Sequence, residues 1–144
     1  MANARQISVF LENKPGTLDA ILELGKESGI NVRALSLADT RDFGILRMIV
    51  NDTDKTLEAV KSAGYVATVT EIVAVTVPDT PGQLSRVVGI LAKDGVNIEY
   101  LYAFTGSSDK SVSFVIRVDD NAHASAALVK AGIIELTEND LSRL

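Results

Sequence analysis

The chain has 144 residues, of which 47% are hydrophobic and 23% charged, a balance typical of a globular protein with a buried core. Its net charge is −5 and its basic residues are scattered, which argues against binding to nucleic acid. There is no cysteine, which excludes disulfides, thiolate metal sites and cysteine nucleophiles. Met1 to Gln6 carries no apolar stretch resembling a signal sequence, so a cytoplasmic protein without membrane contact is the expectation.

One pattern occurs twice along the chain. Equivalent residues of the two copies are 66 positions apart in the first part of the pattern and 68 positions apart in the later part. Coincidence does not plausibly align so many positions, and an internal repeat of this length predicts two domains, residues 1–72 and 73–144. The matching pairs are Val9 and Val75, Pro15 and Pro81, Gly16 and Gly82, Leu18 and Leu84, Gly29 and Gly95, Asn31 and Asn97, and Leu35 and Leu101.

Each copy opens with a strand and a helix. Ile7, Val9 and Leu11 alternate with other residues, as Val73, Val75 and Val77 do in copy two, which indicates a strand with one buried face. After the Pro-Gly pair, apolar residues recur at helical spacing until a glycine ends the helix. These residues are Leu18, Ile21, Leu22 and Leu24 in copy one, and Leu84, Val87, Val88 and Leu91 in copy two.

Two strands, a second helix and a last β-rich run complete each copy. The strands are expected at residues 32–38 and 45–50 and at 98–104 and 112–118, and the helices at 53–63 and 121–131. The order βαββαβ, twice, predicts an α+β protein of two tandem ferredoxin-like plaits, with antiparallel sheets and helices on one face. The fourth strand of copy one should run almost directly into the first strand of copy two.

The third strand of each copy is apolar on more than alternate positions, so its face away from the helices should meet protein rather than water. A homodimer or stacked sheets would satisfy this. Tyr100 and Tyr102 share one face of the second strand of copy two, either as interface packing, the favoured interpretation, or as the wall of a ligand pocket. His123 is interpreted as a solvated helix residue, and residues 106–111 as a hairpin loop without a phosphate-binding role.

The turn before the first helix is the strongest candidate site. Proline at the first helical position would give a preformed turn, and the first-turn N–H groups beside Gly16 would suit a carboxylate. Thr80 could cap its helix whereas Lys14 cannot, so copy two should be better capped. The alternative is that both turns serve only to connect a strand to a helix and bind no ligand.

The motif Asn/Asp-x-Pro-Gly-x-Leu, followed by Gly-Ile-Asn-Val at 29–32 and Gly-Val-Asn-Ile at 95–98, resembles the ACT domain family. That resemblance implies regulatory modules that pair side by side and bind an amino acid between the Pro-Gly loop and the start of the second strand. Carried over to this chain, it nominates Asn13, Lys14, Pro15, Gly16, Thr17, Leu18, Asn31, Val32, Asp79, Thr80, Pro81, Gly82, Gln83, Leu84, Asn97 and Ile98.

The resemblance implies a free amino acid as effector, a homodimer and a separate partner enzyme of amino-acid metabolism. No nucleophile–base pair, metal cluster or cofactor fingerprint is visible, so a non-catalytic protein without cofactor or metal is predicted. Two alternatives stay open. One is a small enzyme on the same fold, and the other is an RNA-binding plait, which the acidic composition disfavours.

Overall fold

A computed structural model describes residues 3–39, 41–106 and 110–143. Its described part contains seven strands and five helices. In chain order these are β1 (Ala4–Glu12), α1 (Thr17–Glu27), β2 (Val32–Asp39), β3 (Phe43–Val50), α2 (Thr53–Ser62), β4 (Val66–Pro78), α3 (Gln83–Lys93), β5 (Ile98–Ala103), β6 (Ser111–Val118), α4 (Asn121–Lys130), β7 (Ile134–Leu136) and α5 (Glu138–Ser142).

The strands form one antiparallel sheet in the order β2-β3-β1-β4-β6-β5, with β7 also paired to β4. Strand β4 belongs to both copies. It pairs with β1 as far as Ile72 and with β6 from Val73 onward. The two predicted tandem plaits are therefore confirmed, and the predicted meeting of their strands is a single continuous strand. A boundary at residue 72 stays our proposal, because no loop separates the two halves.

Each copy buries one face of its strands under two helices. Ile7, Val9 and Leu11 are almost completely buried with Ile21 of α1 and Val60 of α2, as the period-two pattern predicts. The equivalent core of copy two contains Val73, Val75 and Val77 with residues of α3 and α4. Burial of these alternating side chains is what holds the helices against the sheet.

Helices α2 and α4 begin in the same way in both copies. The Asp52 carboxylate accepts a hydrogen bond from the N–H of Lys55 at 3.1 Å, and the Asp120 carboxylate accepts one from His123 at 3.1 Å. Such caps satisfy a backbone donor that has no partner within the helix. His123 is an exposed helix residue, as expected, and its Nε2 lies 3.5 Å from a carboxylate oxygen of Asp94.

The faces of the two half-sheets that point away from these helices pack against each other. A third core fills the space between them, and Ala34 of β2 forms an isolated bridge with Phe104, the residue that follows β5. This contact confirms the sheet stacking predicted from the third strands, and it occurs within one chain. The core consists of Ala4, Ala34, Ile49, Ile72, Ala74, Phe104, Val115 and Leu141.

A polar cluster lies inside this contact between the copies. Gln6 is 0% exposed. Its amide donates to the Tyr100 hydroxyl at 2.8 Å and accepts from the Tyr102 hydroxyl at 2.7 Å. The Arg47 guanidinium stacks 4.0 Å from the centre of the Tyr100 ring. Burial raises the pKa of Tyr102 well above the usual value of 10.0. The interpretation of both tyrosines as interface packing is thus confirmed.

The short helix α5 was not predicted. It begins with a capping box in which the Thr137 hydroxyl accepts from the N–H of Asp140. The Glu138 carboxylate accepts from the Arg5 backbone N–H at 2.7 Å and the Thr53 hydroxyl at 2.9 Å. Leu141 is 1% exposed in the third core. The last helix of copy two is therefore anchored on copy one.

Two of the predicted connections are only partly described. Thr40, in the loop between β2 and β3, and residues 107–109, in the expected hairpin loop before β6, lie outside the described residues. Within the described ranges, none of the helices combines the length and the apolar character needed to cross a membrane.

Candidate functional site

The Pro-Gly pair of each copy forms the centre of a tight turn. Gly16 has φ 89° and ψ −12°, and Gly82 has φ 90° and ψ −6°. With proline before it, glycine at such angles is the third residue of a type II β-turn. The Thr17 N–H reaches the Lys14 carbonyl at 3.5 Å, and the Gln83 N–H reaches the Thr80 carbonyl at 3.4 Å. Positive φ explains why both turns contain glycine.

The predicted position of proline in the helix is wrong. Helices α1 and α3 begin at Thr17 and Gln83, and their N-cap residues are Gly16 and Gly82, without a side-chain cap. The Gly82 carbonyl accepts a hydrogen bond from the Arg86 N–H at 2.9 Å, which is the bond expected of an N-cap residue. Thr80 lies two residues too early to cap the helix. The expected advantage of copy two in capping is therefore also wrong.

Side chains stabilise the turn of copy one. The Thr17 hydroxyl donates to the Glu12 carbonyl at 2.8 Å and lies 3.1 Å from the Lys14 carbonyl. The Lys14 ammonium and the Glu12 carboxylate form an ion pair at 2.8 Å. Their hydrogen bond and mutual attraction lower the pKa of Glu12 and raise that of Lys14. Both groups are therefore charged at neutral pH and both are largely exposed.

Two clefts open beside this turn. One has a volume of about 610 Å³ and the other about 260 Å³. Lys14, Pro15, Gly16 and Thr17 contribute to both, so the turn forms the wall between them. The larger is also lined by Phe10, Leu11, Glu12, Ala20, Phe43, Gly64, Tyr65 and Val66, and the smaller by Leu11, Glu12, Asn13, Leu18, Leu37, Asp39 and Gly44.

The turn of copy two repeats the backbone of copy one with different side chains. The Asp79 N–H donates to the Lys110 carbonyl at 2.9 Å, just as the Asn13 N–H donates to the Asp42 carbonyl at 3.0 Å. Gln83 and Leu84 start α3 where Thr17 and Leu18 start α1. The Gln83 side-chain carbonyl oxygen is buried without a hydrogen-bond partner among the described residues. The two turns thus have the same backbone conformation but present different side chains.

The signature asparagines hold the start of the second strand to the end of the third. The Asn31 N–H donates to the Asn51 side chain at 2.8 Å, and the Asn97 N–H donates to the Asp119 carboxylate at 3.1 Å. The next residues enter the sheet, where Val32 is opposite Val50 and Ile98 is opposite Val118. In both asparagines these contacts are made by the backbone, and no other described residue forms a hydrogen bond with either side chain.

Within one copy, the predicted site residues form two separate groups. Strands β1 and β2 both run antiparallel to β3, so the end of β1 and the start of β2 lie at opposite ends of the sheet. Glu12 is opposite Phe43 and Val32 is opposite Val50, which separates the Pro-Gly turn from Asn31 and Val32 by roughly 20 Å along β3. All residues that line the two clefts lie between Phe10 and Val66, in copy one, and neither Asn31 nor Val32 is among them.

Eight residues of the larger cleft were not among the predicted site residues, namely Phe10, Leu11, Glu12, Ala20, Phe43, Gly64, Tyr65 and Val66. Phe10, Phe43, Tyr65 and Val66 come from three segments that meet only in the folded sheet. Phe10 offered one sequence signal, because it lies between the buried Val9 and Leu11 and must point to the other face of β1. Alternation alone could not show which residues it would meet there.

Comparisons with known proteins agree with this architecture. A family model for the ACT domain pair matches residues 2–144. The chain is similar to the solved structure of protein BT0572 from Bacteroides thetaiotaomicron, with 37% identity, a TM-score of 0.92, and coverage of 99% of this chain and 97% of that one. No curated protein matches the sequence.

More distant similarity extends to two solved regulatory subunits of aspartate kinase. The subunit from Thermus thermophilus is 19% identical, with a TM-score of 0.66 and coverage of 91% of this chain and 93% of that one. The subunit from Thermus flavus is 20% identical, with a TM-score of 0.61 and coverage of 92% and 94%. Such low identity shows a shared fold alone. The match along nearly the whole sequence shows that this chain belongs to the ACT domain pair family.

Proposed function

We propose that the protein is a non-catalytic regulatory protein that binds a free amino acid at a Pro-Gly turn and modulates a partner enzyme of amino-acid metabolism. The observation that carries the proposal is the turn of copy one, which opens on a cleft of about 610 Å³. That volume lies within the range of about 300 to 1,000 Å³ typical of small-molecule sites. Membership of a family of regulatory domain pairs supports it.

The proposed contacts follow from the charges of a free amino acid. Its carboxylate would lie near the Lys14 ammonium and the N–H groups of Thr17 and Leu18, which precede the first bond within the helix, from Ala20 to Gly16. Its ammonium group would lie near Glu12. In copy two, the N–H groups of Gln83 and Leu84 occupy the equivalent place. No covalent chemistry is required.

We further propose that a homodimer completes the site. The Pro-Gly turn and the start of the second strand lie about 20 Å apart within one copy. A second chain could bring its own Asn31 and Val32, or Asn97 and Ile98, to the turn. Binding at such an interface would favour one arrangement of the subunits, and a partner enzyme in the cytoplasm could respond to that arrangement.

The proposal predicts that at least one of the twenty L-amino acids binds with a dissociation constant of about 1 μM to 1 mM. For a constant of 100 μM, about 10 mM ligand would add roughly 2.7 kcal/mol to the free energy of unfolding. Thermal-shift measurements with each amino acid should therefore show an increase of several degrees in Tm for the effector. If all twenty leave the Tm unchanged, the proposed function is wrong.

A further inference from the structure

We propose that the cleft of copy one takes an α-amino acid with a large apolar or aromatic side chain, and that the turn of copy two does not. This inference rests on the proposed function and adds the class of effector and the copy that binds it. Three features of the described residues support it: an exposed apolar rim, an ion pair beside that rim, and the loss of the ion pair and of Phe10 from the equivalent positions in copy two.

The rim of the cleft is formed by large apolar side chains that remain exposed. Phe10 is 40% exposed, Phe43 53% and Val66 66%. Phe10 is opposite Val66 in the sheet, and Phe43 is opposite Glu12, two residues along β1, so the three lie on one face. Single exposed apolar residues are common on proteins, but a cluster lining a cleft marks a binding site.

The ion pair supplies both charges that an amino-acid head group requires. The Lys14 ammonium and the Glu12 carboxylate lie 2.8 Å apart at the edge of the cleft. A zwitterion placed over this pair would bring its carboxylate to Lys14 and its ammonium to Glu12, which is the complementary arrangement. The side chain of the ligand would then extend from the pair toward Phe10 and Val66.

Copy two provides a comparison within the same chain, because each residue of the cleft has an equivalent there. Phe10 corresponds to Thr76, Glu12 to Pro78 and Lys14 to Thr80, so both charges and one aromatic ring are absent. The Thr76 hydroxyl is hydrogen-bonded to Ser113 on the neighbouring strand. Uncharged residues therefore occupy these three positions, although Val66 keeps an exposed apolar equivalent in Ile134, which is opposite Thr76 as Val66 is opposite Phe10.

The cleft itself is also obstructed in copy two. Ala20 lines the cleft of copy one, and its equivalent is Arg86. The Arg86 guanidinium donates to the Ala131 carbonyl at 2.9 Å, across the gap between α3 and the end of α4. Ala131 precedes Gly132, which is the equivalent of the cleft residue Gly64. A long side chain thus spans the space that Ala20 leaves open.

This arrangement predicts a specific order of affinities. Phenylalanine and leucine should bind at least about tenfold more tightly than lysine, threonine or aspartate, because only the former bury apolar area against the rim. Two analogues test the head group. Phenethylamine lacks the carboxylate and 3-phenylpropionate lacks the ammonium, and each should bind at least about tenfold more weakly than phenylalanine. Titration calorimetry with the full-length protein measures all of these.

Three variants test the position of the site. Ala20→Arg introduces the obstruction found in copy two and should abolish detectable binding, whereas Glu12→Gln and Phe10→Ser should each raise the Kd about tenfold. Matched controls place the same changes at exposed positions outside the cleft. Ala126→Arg, Glu58→Gln and Val129→Ser should leave the Kd within about twofold of the original protein. Circular dichroism verifies that each variant is folded.

The outcomes separate this inference from the proposed function. Tight binding of phenylalanine or leucine that is lost in Ala20→Arg supports both. Preferential binding of a small or charged amino acid, or binding unaffected by Ala20→Arg and Phe10→Ser, overturns the inference and leaves the proposed function standing. Binding of none of the twenty amino acids overturns both.

Discussion

Replacing Gln6 by alanine is expected to lower the free energy of unfolding by about 3 kcal/mol. Gln6 is fully buried between the two half-sheets, where it bonds to the hydroxyls of Tyr100 and Tyr102. The substitution removes one partner from each hydroxyl, at about 1 to 3 kcal/mol for each buried group left unpaired, and leaves a cavity. Urea denaturation followed by circular dichroism measures the change.

A double-mutant cycle is the control for this effect. In a protein that already carries Tyr100→Phe and Tyr102→Phe, Gln6→Ala still removes the 3.3 Å hydrogen bond from the Gln6 amide to the Ser8 hydroxyl but leaves no tyrosine hydroxyl unpaired. The substitution should therefore cost at least about 1 kcal/mol less in that background. Equal costs in the two backgrounds would show that the hydrogen bonds between the copies contribute nothing to stability. A cost below about 0.5 kcal/mol in the original background would show that Gln6 is not buried in solution.

Leu141→Ala is expected to lower the free energy of unfolding by about 2 to 4 kcal/mol. Leu141 is the only buried residue of helix α5 and packs in the core between the two copies. Leu22→Ala is the matched control, because Leu22 is 38% exposed on α1 and its truncation should cost less than about 1 kcal/mol. Urea denaturation of both variants gives the comparison, and equal costs would contradict the anchoring of α5 on copy one.

The regular elements of the fold could be predicted because two copies of one pattern carry the same evidence. Val9 and Val75 lie on equivalent buried faces of the two copies, and Gly29 and Gly95 follow equivalent helices. Helix α5 was missed because it occurs once and has only five residues, although Thr137 and Asp140 have capping-box spacing. The burial of Gln6 could not be predicted from the sequence either, because a polar residue beside Ile7 resembles a solvent-facing position in a strand.

The candidate site was predictable at the turn but not around it. Pro15 and Gly16 suit the start of a helix and the centre of a type II turn equally well, and only the φ angle of Gly16 distinguishes the two. The cleft depends on Phe43 and Val66, which are distant from the turn in sequence and reach it through strand pairing. Pairing register is a property of the whole sheet, so a local motif cannot reveal it.

The central claim is that a Pro-Gly turn binds a free amino acid, and amide NMR tests it most directly. On titration of the isotope-labelled protein with the amino acid that raises the Tm most, we expect the largest chemical-shift changes at Gly16, Thr17 and Leu18. Changes at Asn31, Val32, Asn97 or Ile98 would accompany them if a second subunit completes the site. Changes confined to the rest of the chain, with the amides of both Pro-Gly turns unmoved, would contradict the claim.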